Sequence, residues 1–265
     1  MQYVESRDGT RIAFEQIGDG PPLVLVHGAA SDHTRWAPLI EHIEDHFTLH
    51  VMDRRGRGNS GDGPDYELRR EVEDIIAVAA AIDGPVHLYG HSSGALYSLE
   101  AAPEINNLQR LVLYEPAMPE GGEFIPAPII DQLQTLVDEE RSEEALILFM
   151  RDVAKFPEHE IEKYQSLPSW PARVAAAPTF PREGRTINSY RFDPDRFRDF
   201  AVPTLLLQGN LSPQMFADAT RRINATLLDS RVVLLPEQGH AADSLAPELV
   251  ASTLCDFLID DETGA

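Results

Sequence analysis

The sequence predicts an α/β fold in which a mostly parallel, doubly wound sheet carries helices on both faces. Short, mostly apolar runs recur along the chain, which is typical of strands buried on both faces of a parallel sheet. Helical patterns alternate with these runs, as they do in successive βαβ units. One long segment breaks the alternation and is predicted to be an insertion.

The core elements follow one another in a regular order. An antiparallel strand is predicted at residues 11–17, where apolar and polar residues alternate after a turn. Continuous apolar runs predict buried strands at residues 23–26, 49–52, 86–89, 108–114, 204–207 and 232–235. Apolar residues at helical spacing predict helices at residues 36–43, 67–81, 93–101, 216–223 and 247–258.

The predicted insertion is a helical cap. It has helical patterns at residues 129–137 and 143–153, followed by a stretch with four prolines, Pro168, Pro171, Pro178 and Pro181. The chain is accordingly predicted to form a core domain of residues 1–116 and 200–265 and a cap of residues 117–199. Because ligands of such sheets bind beyond the carboxyl ends of the strands, the cap is expected to cover the pocket. Residues 261–265 are expected to be a loose tail.

Composition and charge argue against several classes of partner. The formal net charge of −22 opposes binding to nucleic acids and to anionic membranes, and no apolar run is long enough to span a bilayer. The N-terminal residues lack the features of a signal peptide, so a cytoplasmic protein is expected. The one cysteine, Cys255, cannot form an internal disulfide and is predicted to be a buried core thiol.

The charged residues also suggest a habitat. Lysine occurs only as Lys155 and Lys163, and a carboxylate-rich surface with few lysines resembles proteins of salt-loving organisms. High salt would screen the self-repulsion of such a surface, so we expect salt to stabilise the chain.

The most informative motif is GHSSG at residues 90–94, directly after the predicted strand at 86–89. Small residues on both sides of a serine suit a strained strand-to-helix turn that holds the hydroxyl clear of the backbone. Ser92 is therefore the candidate nucleophile. The alternative is a tight glycine-bounded turn in which the serine has no chemical role.

Two backbone amides are candidates for an oxyanion hole. The segment HGAA at residues 27–30 follows a predicted strand, and its glycine lets the chain turn so that the Ala29 amide faces the pocket. The second candidate is the Ser93 amide, at the start of the following helix. His27 and Trp36 are expected to shape this loop. The segment DRRGRGNS at residues 53–60 is interpreted as a structural loop with internal salt bridges rather than an anion site.

Together these motifs make the chain similar to the α/β-hydrolase superfamily over nearly its whole length. The matching segments are HG at 27–28, DRRGRGNS at 53–60, GHSSG at 90–94 and GH at 239–240, in the family's order. The resemblance implies an eight-stranded, mostly parallel sheet, a cap after the sixth strand, and a serine, acid and histidine triad without metal or cofactor. It also assigns the role of catalytic base to His240, which follows the last predicted strand.

The acid of the triad is the point of departure from the family pattern. The loop after the seventh strand has Ser212 where an aspartate is usual, and serine cannot stabilise an imidazolium by charge. Some members carry the acid after the sixth strand, where this chain has Glu115. A carboxylate there would be strongly desolvated without a partner, and His240 is a plausible one. Asn210, Asp218 and Asp243 are the remaining candidates.

The resemblance, with a serine as nucleophile, implies acyl transfer on a small or medium, largely uncharged ester or lactone. Hydrolysis of a carbon–carbon bond or peracid formation are alternatives with the same triad, and a ligand-binding protein with little turnover is another. The pocket is expected to depend on apolar cap residues, each of which is expected first to pack the cap: Phe124, Ile125, Leu148, Phe149, Phe156, Tyr164, Trp170 and Phe180.

Overall fold

A computed structural model describes residues 1–259. Its strands are β1 (Gln2–Glu5), β2 (Arg11–Ile17), β3 (Pro22–Val26), β4 (Thr48–Met52), β5 (Val86–His91), β6 (Leu108–Tyr114), β7 (Thr204–Gly209) and β8 (Ser230–Leu235). They form one eight-stranded sheet in the order β1-β2-β4-β3-β5-β6-β7-β8. The pairs β1/β2 and β2/β4 are antiparallel, and the remaining pairs are parallel. The predicted fold class is therefore confirmed.

The helices around the sheet are α1 (Ala37–Ile43), α2 (Leu68–Ala80), α3 (Ser93–Ala101), α4 (Ala127–Asp138), α5 (Ser142–Leu148), α6 (Glu158–Gln165), α7 (Trp170–Ala175), α8 (Phe180–Ser189), α9 (Gln214–Asn224), α10 (Ala242–Leu245) and α11 (Pro247–Leu258). None of the helices within residues 1–259 is both long enough and apolar enough to cross a membrane.

The central strands are mostly apolar because alternate side chains enter two different cores. In β3, Leu23 and Leu25 pack in one core with residues of α1 and α11. Val24 and Val26 pack in the other core, with residues of α2 and α3. Side chains alternate across a strand, so a sheet covered on both faces favours apolar residues on both sides of each strand.

The segment between β6 and β7 contains five α-helices, α4–α8, and no strand. Its core includes Leu133, Leu146, Tyr164 and Phe180, and it also takes in Ala241 beside the β8–α10 loop. These helices thus pack against one another and against the end of the sheet where β8 finishes.

The structure differs from the sequence predictions in three respects. β1 is an additional edge strand, and three of its four residues are exposed. Helices α6, α7 and α8 were not predicted; α7 and α8 begin within the proline-rich stretch, where Pro171 and Pro181 occupy their first turns, a position at which proline is tolerated. Cys255 is half-buried at the edge of a core, so the prediction of a buried thiol was wrong. The predicted tail at 261–265 lies outside the described residues.

Candidate active site

Ser92 occupies a sharp turn between β5 and α3. Its φ of 57° and ψ of −122° are strained for a residue with a side chain. The glycines of the motif are required by close packing. A Cβ atom at Gly94 would lie 2.4 Å from the carbonyl oxygen of His27, and one at Gly90 would lie 2.6 Å from the carbonyl oxygen of Gly94. The turn therefore needs small residues on both sides of the serine.

Glu115 and His240 are brought together from distant parts of the chain. The Nδ1 atom of His240 donates a hydrogen bond to Oε2 of Glu115 at 2.5 Å. The other carboxylate oxygen, Oε1, accepts a hydrogen bond of 2.8 Å from the amide of Gly209. Glu115 is fully buried and, like Ser92, has a positive φ, of 49°. The hydrogen bond at Nδ1 leaves Nε2 of the imidazole free for a second partner.

The other candidate acids have different positions. Asp243 is bound by Arg35, whose Nε lies 3.1 Å from its Oδ2. Asp218 lies on the outer part of α9, where it accepts hydrogen bonds from Gln214 and Arg221 at 2.9 Å each. The Oγ atom of Ser212 is buried without a hydrogen-bond partner within the described chain. Asn210 is exposed.

Three aromatic side chains hold His240 in place. The ring of Phe216 stacks on the imidazole. The hydroxyl of Tyr114 donates to the carbonyl of Gly239 and accepts a 3.1 Å hydrogen bond from the amide of Ala242. The Nε2 atom of His91 donates to the His240 carbonyl at 2.9 Å. Burial lowers the pKa of His91 well below its usual range, so this ring is neutral.

Ala29 and Ser93, whose amides are the candidate oxyanion donors, line the same cavity as Ser92 and His240. Neither amide donates a hydrogen bond to another residue within 1–259. The loop that carries Ala29 is held by His27, whose Nδ1 lies 2.8 Å from the carbonyl of Gly28. Its Nε2 accepts a 3.1 Å hydrogen bond from the amide of Arg54. His27 therefore shapes the loop, as expected, and Trp36 is buried in the core.

The arginines of the 53–60 segment are buried, but their ion pairs reach other elements rather than staying within the loop. Arg54 binds Glu71 of α2 and Glu183 of α8 at 2.6 Å each. Arg57 also binds Glu183, and Arg55 binds Asp74 of α2 at 2.7 Å. Burial opposes the ionisation of Glu183, yet Arg54 and Arg57 hold the pKa of that carboxyl below its usual range. The expectation of internal salt bridges is corrected accordingly.

The cavity above Ser92 is roofed by residues that follow β6. The empty space between its walls is about 650 Å³, part of it open to solvent, a size suited to small ligands. Five of the eight apolar cap residues named from the sequence line it: Phe124, Ile125, Phe149, Phe156 and Phe180. The other three, Leu148, Tyr164 and Trp170, pack within the cap as expected.

One group of possible metal ligands lies within residues 1–259, formed by Asp32, His33 and Asp53. Its polar atoms already have protein partners. Asp53 accepts hydrogen bonds from the amide and from Nδ1 of His33, both at 2.8 Å, and Asp32 accepts from the amide of Thr34 at 2.9 Å. These contacts fix the start of the turn before α1.

Residues 23–253 match the family model described as the alpha/beta hydrolase family. The chain belongs to the alpha/beta hydrolase family. This hydrolase is 36% identical to an alpha/beta hydrolase structure from Sphaerobacter thermophilus, with a TM-score of 0.84 over 97% of this chain and all of that one (100%).

The names of two curated relatives indicate the reactions of those proteins. A 2-(acetamidomethylene)succinate hydrolase of Mesorhizobium japonicum is 26% identical over 258 residues, which cover 91% of this chain and 89% of the relative. An N-formylmaleamate deformylase of Pseudomonas putida is 41% identical over 103 residues, 37% of this chain and 38% of the relative. Membership of the family and these names support hydrolase activity.

Sequence reasoning missed three residues of the site. Tyr114 was assigned only to a strand and Phe216 only to the start of a helix, whereas both contact the segment around His240. Arg173 lines the cavity from α7, in a stretch whose prolines obscured the helix. The signal available was weak: Phe216 follows Ser212 by four residues, on the loop where the family usually has its acid.

Proposed function

We propose that this hydrolase cleaves carboxylic esters or lactones through an acyl-enzyme, with Ser92 as nucleophile, His240 as base and Glu115 as the orienting acid. The observation that carries the proposal is the 2.5 Å hydrogen bond between Glu115 and Nδ1 of His240. It fixes the tautomer in which Nε2 is unprotonated and able to accept the serine proton. His240 and Ser92 line the same cavity, which supports their acting together.

The reaction proceeds in two halves. In the first, Ser92 Oγ attacks the carbonyl carbon while its proton passes to Nε2 of His240, and the amides of Ala29 and Ser93 stabilise the oxyanion. Collapse of this intermediate breaks the bond to the leaving alkoxide, which takes the proton from His240. In the second half, water loses a proton to His240 and attacks the acyl carbon, and the departing Ser92 oxygen recovers that proton.

The carboxylate of Glu115 is suited to this cycle because it is buried and doubly anchored. Its hydrogen bond to the amide of Gly209 keeps it in place, and its negative charge stabilises the imidazolium that forms in each half. An anion buried without such partners would be strongly disfavoured.

Amide hydrolysis is a second candidate, favoured by the names of the relatives. A deformylase removes a formyl group, here from the nitrogen of N-formylmaleamate, and 2-(acetamidomethylene)succinate also carries an acylated nitrogen. The same triad serves both reactions when His240 protonates the leaving nitrogen. Both named substrates are also carboxylates.

The proposal is tested by labelling with a fluorophosphonate and by the burst of p-nitrophenol from p-nitrophenyl acetate. We expect both signals from the folded protein and neither from Ser92→Ala, with Ser212→Ala as the control that retains them. Folded protein that gives no label, or a label that survives in Ser92→Ala, would contradict the proposal. Tight binding of small molecules without turnover would favour a ligand-binding protein. A panel of esters, N-formyl amides and a vinylogous diketone then separates the types of hydrolysis.

A further inference from the structure

Three charged side chains other than the histidines line the cavity: Arg35, Arg173 and Glu183. Two of them have counter-ions. Arg35 is bound through two nitrogens to the carboxylate of Asp243, and Glu183 is bound by two arginines of the 53–60 segment. These two groups are neutralised within the protein. Arg173 differs from both.

The guanidinium of Arg173 is buried without an anionic partner. The residue is 4% exposed, and no carboxylate lies within ion-pair distance of it among residues 1–259. Its Nη1 donates to the carbonyl of Ala30 at 3.0 Å, and the group lies 4.5 Å from the ring centroid of Tyr164. Its Nε is buried and has no hydrogen-bond acceptor in the described chain. The N–H donors on one edge of the Arg173 guanidinium therefore have no acceptor in the described chain.

This arrangement is unfavourable in the free protein. Burial lowers the pKa of Arg173 and Arg35 adds repulsion, while Tyr164, Asp243 and Asp32 act in the opposite direction without cancelling these effects. A guanidinium nevertheless stays protonated in proteins. A buried charge with an unsatisfied donor is disfavoured unless an anion reaches it, and a carboxylate matches the guanidinium fork with two parallel hydrogen bonds.

The position of Arg173 also fixes where such an anion would lie. Its contact with Ala30 puts the guanidinium next to the residue whose neighbour, Ala29, is the proposed oxyanion donor. Much of the remaining wall is apolar, with Ile125, Phe149 and Phe180 among its residues. A carboxylate at Arg173 is therefore separated from the reacting carbonyl by only a few bonds.

We propose that Arg173 binds a carboxylate of the substrate, so that the substrate class is a short acyl compound with a free carboxylate a few bonds from the scissile carbonyl. The inference rests on the proposed function for the identity of the bond that is cleaved. The binding of the anion does not depend on the proposed function. It replaces the expectation of a largely uncharged substrate. The net charge of −22 describes the whole chain, whereas the unpaired charge lining this cavity is positive.

The test compares matched substrates. The half-methyl esters of malonate, succinate and glutarate are each paired with the neutral ester in which an amide replaces the carboxylate. For the best-fitting length, we expect kcat/KM for the acid to exceed that for its amide by about tenfold or more, and Arg173→Gln to reduce this ratio by about tenfold or more. Arg173→Lys, which keeps the charge but not the fork, should give an intermediate ratio. Arg141→Gln removes an exposed cap charge and should leave the ratio unchanged.

A binding measurement separates this inference from the proposed function. Calorimetric titration of Ser92→Ala with the three dicarboxylates should give tighter binding than with the corresponding diamides, and adding Arg173→Gln should weaken it by about tenfold or more. If no ester is cleaved but this pattern holds, the proposed hydrolysis is wrong and the carboxylate site stands. If esters are cleaved with equal ratios in wild type and Arg173→Gln, the site is wrong. Should Arg173→Gln not fold, equal binding of diacids and diamides by Ser92→Ala would overturn it.

Discussion

The imidazole of His240 lies parallel to the ring of Phe216, with the ring centroids 4.1 Å apart and the planes 11° from parallel. Phe216 is buried at the start of α9. The stack therefore restricts rotation of the imidazole on one face, while Glu115 holds its Nδ1 edge. When His240 takes up a proton, the phenyl ring also faces a cation, an arrangement that is favourable by about 0.5–2 kcal/mol.

We predict that Phe216→Leu lowers kcat by about 3- to 30-fold on an activated ester, because the protonated imidazole loses this stabilisation and its orientation. KM should change less than kcat. The control is Phe257→Leu, which truncates a buried aromatic of α11 remote from the cavity and should lower Tm without this change in kcat. Equal kcat values for Phe216→Leu and wild type would contradict a positioning role.

We predict that Glu115→Gln lowers kcat by about a thousandfold or more, because a neutral amide neither fixes the tautomer of His240 nor stabilises the imidazolium. Ser212→Ala and Asp218→Asn should stay within about twofold of wild type, since neither side chain contacts His240. Steady-state kinetics of wild type and the three variants on one ester measure these changes in kcat. A large loss in Asp218→Asn with an active Glu115→Gln would reverse the assignment of the acid.

The pH dependence of stability should reflect His87. Its ring is buried on β5, and burial lowers the pKa of His87 from 6.5 to about 4. Because the unfolded ring titrates near 6.5, the unfolded state binds more protons between these values. The contribution of His87 is therefore fully present above pH 6.5 and is lost as the pH falls towards 4, by up to about 1.4 kcal/mol per pH unit.

The prediction for His87→Leu is a shallower decline in the free energy of unfolding between about pH 7 and 5, measured by urea denaturation. His42→Leu, an exposed position on α1, serves as the control and should keep the wild-type slope. Identical slopes for His87→Leu and wild type would show that this ring does not contribute.

Salt should raise Tm. The chain has 44 acidic and 22 basic residues, and raising KCl from about 0.1 to 1 M shortens the range of repulsion between surface carboxylates. The buried pairs, such as Arg54 with Glu71, are screened much less and should persist. Thermal melts in KCl, with glycerol of equal osmolality as the control, measure the effect. A Tm that does not respond to KCl would remove the basis for proposing a salt-loving source.

The sequence was most informative where one local pattern determined the structure. The central strands were predictable because burial on both faces requires an uninterrupted apolar run, as in β3. The contact between Glu115 and His240 was expected from the family resemblance and because a carboxylate at the end of a buried strand needs a partner. β1 gave no such signal, because most of its side chains are exposed on an edge strand.

Other features depend on tertiary position and have no local pattern. The stacking of Phe216 on His240 joins residues 24 positions apart, and an aromatic residue at the start of a helix usually indicates core packing. Helices α7 and α8 were not predicted from their proline-rich sequences, although a first-turn proline such as Pro171 is compatible with a helix. The sequence could not predict that Arg173 lacks an anionic partner, because this depends on the positions of all its neighbours in the folded chain.

Glu183 connects α8 of the cap to two arginines of the core through buried ion pairs. Lifting α8 as a rigid lid would leave Arg54 and Arg57 short of a counter-ion in a poorly hydrated environment, a loss of about 3–5 kcal/mol for a broken buried pair. These ion pairs therefore tie α8 to the core, and substrate and product are expected to reach and leave Ser92 without displacement of this helix.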